Sequence, residues 1–175
     1  MPAKVDAQLF EAALDGCVDD VMALLDQGAD VTWTDEDGAT PLVAASIMGN
    51  DEAVAALLAA DAAVDHANND GFTALIMAAQ SGHHPVVMLL LAANAAVDLA
   101  DNTGATALFL AAQEGHADVV ASLLAAHASV NQPMENGHSA IVVTLLAAGA
   151  DVSLAMDVRL RFVPKIDRND WTRMA

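Results

Sequence analysis

Six histidines are the residues of this chain best suited to hold a metal: His66, His83, His84, His116, His127 and His138. Their spacing argues against that chemistry. Only His83 and His84 are neighbours, and adjacent side chains on a turn diverge. No HExxH stretch and no Cys–His pattern occurs. Acid-rich stretches such as "NNDGFT" (68–73) suggest calcium only superficially. The oxygen spacing of a twelve-residue calcium loop is missing, and no glutamate closes it. There is no Gly-rich phosphate loop, no Ser–His–Asp arrangement and no paired-carboxylate context. Cys17 stands beside Asp19 and Asp20, an electronegative setting that does not activate a thiol. The expectation is a protein that is not an enzyme and uses no cofactor and no metal, with its carboxylates as solvated faces.

Bulk properties narrow the partner classes. The 175 residues are 55% hydrophobic but only 3% aromatic. Ala, Leu and Val at this density suit close helix-on-helix packing more than a sheet-lined pocket. A formal net charge of −18 argues for solubility and against nucleic acid or an anionic membrane as a partner. One cysteine permits no internal disulfide, which fits a reducing, cytoplasmic compartment. The opening "MPAKVDAQLFEAALDG" has no apolar run of the signal-peptide kind. The longest apolar stretch, Val86 to Ala93, is too short to cross a bilayer. Charge is also unevenly placed. Residues 1–156 carry 21 acidic side chains and one basic one, Lys4. Residues 157–175 carry five basic side chains (Arg159, Arg161, Lys165, Arg168 and Arg173) and three acidic ones, so a boundary is expected near Asp157.

The elements that position these residues come from a repeat. Residues 68–100 laid on 101–133 agree at 18 of 33 positions, and "DGATPLVAASIMGNDEAVAALLAADAAVD" stands one period earlier. A looser copy, "LFEAALDGCVDDVMALLDQGADV", precedes that. A fixed period of this size predicts an all-α solenoid, in which each unit buries its apolar face only against its neighbours. Thr40, Thr73, Thr106 and Ser139 suit helix N-caps, with Pro41 at a tolerated first position. A short helix follows and ends at Gly16, Gly49, Gly82 or Gly115. A second helix opens among Asp19 and Asp20, Asp51 and Glu52, Pro85, or Asp118, which suits its positive N-terminal end. Gly28, Asp61, Asn94, His127 and Gly149 then occupy one column, a set of residues that tolerates the left-handed backbone of a helix exit.

Helix, turn, helix and hairpin at this period, with "GATPLVAA" at 38–45, resemble the ankyrin repeat family, whose hallmark is a TPLHxA-type stretch. The resemblance covers about residues 4–152. It includes the Gly82-His83 and Gly115-His116 pairs and the "GADV"-like endings. It implies a capping repeat at 4–36, full repeats at 37–69, 70–102 and 103–135, a truncated repeat at 136–156 and a basic tail at 157–175. It also implies a structural role for His83 and His116. One departure stands out: Val43, Ile76 and Phe109 occupy the family's histidine position, and packing is expected in place of the Thr-to-His hydrogen bond.

The stretch "NGHSAIVVTLLAAGADV" (136–152) keeps the start and end of a unit but lacks eleven residues, about 16 Å of helix. Its apolar surface needs a cover: the chain's own tail, a second copy or a partner. In the tail, Val158, Leu160 and Phe162 alternate with Arg159 and Arg161, and docking on the body is expected. In the family, hairpin tips and first helices form a concave groove that binds proteins. By matched position, that groove would show Glu36, Asp37, Ala39, Ile47 and Met48, then Asn69, Asp70, Phe72, Gln80 and Ser81. Asn102, Thr103, Ala105, Gln113 and Glu114 follow, then Glu135, Asn136 and His138. Ile47, Met48 and Phe72 are its candidate apolar anchors. The resemblance implies a protein-interaction module with a basic protein or peptide as partner. A second possibility is a self-assembling or tail-regulated protein, in which the basic tail covers the open end or competes for the acidic groove, in cis or between chains, with association through the C-terminal end. A third is that the acidity is an adaptation to high salt.

Overall fold

The computed structural model describes residues 2–129, so the truncated repeat, the tail, Ser139 and Gly149 lie outside the described residues. Eight helices run through them: α1 Pro2–Asp15, α2 Val18–Asp26, α3 Pro41–Met48, α4 Asp51–Ala59, α5 Ala74–Gln80, α6 His84–Ala92, α7 Ala107–Glu114 and α8 Ala117–Ala125. They pair in sequence and stack in two rows. The inner row is α1, α3, α5 and α7, and the outer row is α2, α4, α6 and α8, with each helix packed on the next in its row. Helices α2 to α8, of seven to nine residues, are too short to persist alone in water, so packing between units holds them in place. The expected solenoid is therefore observed, with no strand longer than an isolated bridge among the described residues.

The core is a repeated layer. Leu42, Leu75 and Leu108 anchor the inner helices, and Val54, Val87 and Val120 anchor the outer ones, all essentially inaccessible to water. Ala45, Ala78 and Ala111, equally buried, let neighbouring helices approach closely. Burying such side chains removes apolar surface from water at about 25 cal/mol per Å².

The local signals behave as their chemistry requires. Thr40, Thr73 and Thr106 are extended N-caps whose Oγ1 accepts from the amides of Val43, Ile76 and Phe109 at 3.3–3.4 Å. Val43 and Ile76 are buried and Phe109 packs partly buried on the core, so packing does replace the family's histidine. Acidic side chains sit in the first turns of α2, α4 and α8, and Pro85 stands in that of α6. After the outer helices, Gly28, Asp61, Asn94 and His127 have φ of 82, 60, 62 and 65°, the left-handed column expected from residue type.

Candidate interaction surface

Each hairpin tip is built around one acceptor side chain. Asp35 Oδ1 accepts from the amides of Asp37 and Ala39 at 3.0 and 2.8 Å. Asn68 Oδ1 does the same for Asp70 and Phe72, at 3.0 and 2.9 Å. Asp101 Oδ1 accepts from the amides of Thr103 and Ala105, at 2.8 and 2.9 Å. Successive tips are then tied together. The Asn69 amide donates to Asp37 O at 2.9 Å, and its Nδ2 to Glu36 O at 3.2 Å. Asn102 repeats this on Asp70 O and Asn69 O, at 3.0 and 2.9 Å. A Cβ on Gly71 would lie 2.8 Å from the Asn102 nitrogen, so this close approach needs glycine, and the left-handed φ of 86° favours it as well. Asn69 and Asn102 therefore position the tips, a role beyond the surface display expected for them.

The inner helices are tied at their other end. Asn50, His83 and His116 precede the outer helices of three successive units and reach back to the unit before. Asn50 Nδ2 donates to Ala13 O and Leu14 O, both at 3.0 Å. His83 Nε2 lies 3.0 Å from Ile47 O, and His116 Nε2 lies 3.0 Å from Gln80 O. A carbonyl only accepts, so the Nε2–H tautomer is the donor in both. A Cβ on Gly49 would strike the His83 ring at 2.5 Å, which shows how closely the ring lies over that turn. This is the structural role the family resemblance implied for the two histidines. Asn50 shares it, and its place 33 residues before His83 is the sequence signal that identifies it.

Two further histidines, His84 and His66, also make contacts within the repeat stack. His84 points the opposite way from His83, towards Ser122 Oγ at 2.9 Å on the next unit. His66 Nε2 lies 3.0 Å from Gly38 O, and His127 is exposed at its left-handed turn. Among the described residues, no three His, Cys, Asp or Glu side chains come close enough to share a metal ion. Cys17 is free and exposed. On the tip-forming loop before α3, the hydroxyl and amide of Thr32 donate to Asp30 Oδ1 and hold that carboxyl below its ordinary range.

The face formed by tips and inner helices carries the candidate residues as follows. Glu36, Asp37, Asn69, Asp70, Asn102, Thr103, Ser81, Gln113 and Glu114 are exposed, and Gln80 and Ala39 are half-buried. Glu135, Asn136 and His138 lie outside the described residues. Ile47 and Met48 are exposed at 37% and 55%. Two expectations need correction. Phe72 is half-buried and packs on the core, and Ala105, its counterpart one unit on, is 2% exposed. Hairpin closure is the cause: Asn68 N donates to Phe72 O at 3.0 Å, and Asp101 N to Ala105 O at 2.9 Å, which draws this column inward. Acidity is not confined to this face either. Asp19, Asp20, Asp51, Glu52 and Asp118 are exposed on the first turns of the outer row. That row also exposes Met22 and Met88, which periodicity alone did not single out.

A scan against protein-family models matches the one described as Ankyrin repeats (3 copies), over residues 9–99 and again over 61–134. A search among curated proteins returns no match. Paired helices, tied hairpin tips and this match agree, and the chain belongs to the ankyrin-repeat family, whose repeats are non-catalytic and serve in general to bind other proteins.

Proposed function

We propose that the chain binds a basic protein or peptide on the face formed by its hairpin tips and inner helices. The observation that carries this reading is the exposure of Ile47 and Met48. The following units place Gln80 and Ser81, then Gln113 and Glu114, at the same two positions. Folding does not require large apolar side chains there, since the two following units do without them. Exposed on this face, they are suited to anchor a partner. The carboxylates of Glu36, Asp37, Asp70 and Glu114 stand exposed on the same face and favour a cationic partner. A cytoplasmic setting goes with this reading, supported by the single cysteine of the chain.

The test uses a partner recovered by affinity capture. Met48→Ala with Ile47→Ala should mainly raise the dissociation rate. Asp37→Asn with Asp70→Asn should mainly lower the association rate and flatten its salt dependence, because screening acts over about 8 Å near physiological ionic strength. Loss of binding on changing Glu52 and Asp118, with no effect of these four changes, would overturn the reading.

A second reading has its own observation. Carboxylates crowd the outer row as well as the inner face, so part of the charge serves solvation in concentrated salt and selects no partner.

A further inference from the structure

Met48 is the most exposed large apolar side chain on the inner face, and the end of α3 that carries it is pinned from both sides. His83 holds Ile47 O, and Asn50 holds the end of α1. A rigid apolar step therefore stands in water, ahead of two units that are polar at the same positions. Exposed Asp15 lies on the preceding inner helix, and Glu36 and Asp37 lie on the tip of the same unit. Lys4 is the only basic Lys or Arg side chain among residues 2–129, so nothing in the body neutralises this rim.

One segment of the chain combines what the step lacks. Residues 158–162, "VRLRF", alternate apolar side chains with two arginines, and all basic Lys and Arg side chains other than Lys4 lie between 159 and 173. The residues between the described chain and this segment are numerous enough for it to reach the step. Residues 130–157 would span about 42 Å as helix and more if extended. The step lies two units from the end of the described chain, about 20 Å at an interaxial spacing of 8–10 Å.

We propose that the chain's own segment 158–162 occupies the Ile47–Met48 step in cis, with Leu160 and Phe162 on the apolar pair and Arg159 and Arg161 at the carboxylate rim. The tail then acts as an internal competitor that an external basic ligand must displace. This rests on the inner-face reading above and adds its regulation. A tethered ligand works at a high effective concentration, so modest affinity suffices. If the step is covered nine-tenths of the time, an external ligand binds about tenfold more weakly than it would to the open step.

Methionine-methyl NMR on the full chain tests it, because Met48 reports on the step and Met22 and Met88 on the outer row. The double variant Leu160→Ser with Phe162→Ser should shift the Met48 methyl at every protein concentration and leave Met22 and Met88 in place. Adding a peptide of residues 156–175 to that variant should return Met48 towards its original position, saturably. No Met48 shift, or a shift that depends on protein concentration, overturns the proposal; the latter would make the occupant a second chain. An unrelated peptide of alternating Arg and Leu separates the two readings. If it moves Met48 in the variant while the chain's own peptide does not, the inner face binds basic ligands and the tail is not one of them. If it moves only Met22 and Met88, the inner-face reading fails as well.

Discussion

At Ser46, one hydroxyl stands where the sister units have none. The residue is fully buried, and its Oγ lacks a hydrogen-bond partner. Its counterparts one and two units on are Ala79 and Ala112, equally buried. Leaving a hydroxyl unsatisfied in the interior costs on the order of 1–3 kcal/mol, and alanine already fits this column. Ser46→Ala should therefore stabilise the protein by about 1 kcal/mol, read as a higher denaturation midpoint with an unchanged slope. A destabilised variant would show that the hydroxyl has a partner in solution. Asn94 makes the complementary backbone case, with φ 62° at the exit of α6. Asn94→Gly should be neutral or mildly stabilising, while Asn94→Val should cost on the order of 1 kcal/mol or more through its Cβ. Equal stability of the two variants would refute the left-handed assignment.

Between elements, side chains that reach one unit back supply specificity to an interface otherwise made of small apolar residues. Asn50, His83 and His116 do this with two different chemistries at one position. Asparagine in the equivalent place already makes the same reach, so His83→Asn should retain most of the contact with Ile47 O. His83→Ala should lose about 1 kcal/mol, the usual net value of one hydrogen bond. Chemical denaturation of the two variants compares them directly, and an asparagine variant as weak as the alanine one would argue against a shared clamp. The effect should also reach function, since this clamp fixes the turn carrying Met48.

For the whole molecule, the dominant feature is one sign of charge spread over both rows of helices. Among residues 2–129, 19 acidic side chains face a single lysine, and most are exposed. Self-repulsion of that kind opposes the compact state and is relieved by screening. The midpoint of thermal unfolding should therefore rise as sodium chloride increases from low to physiological concentration. A continued rise well beyond the point where Coulomb screening is complete would favour the high-salt reading. A plateau there would leave the charge to a partner.

Period, helix pairing, the threonine caps and the left-handed column were legible in the sequence because each depends on residues close together in the chain. A cap needs one hydroxyl three residues from an amide, and a helix exit needs one residue that accepts positive φ. The broad outline of the inner face was legible too, since the 33-residue register carries each tip and helix to the next. Burial at the joints between units was not. Phe72 and Ile47 are both large and apolar, yet hairpin closure turns the first towards the core and leaves the second in water. Nor could the sequence show that Asn69 and Asn102 spend their amides on the preceding tip, or that Met22 and Met88 remain uncovered on the outer row. Those outcomes depend on contacts across a whole repeat, where the neighbouring unit takes the place of water, and only the tertiary arrangement decides which side of each residue it covers.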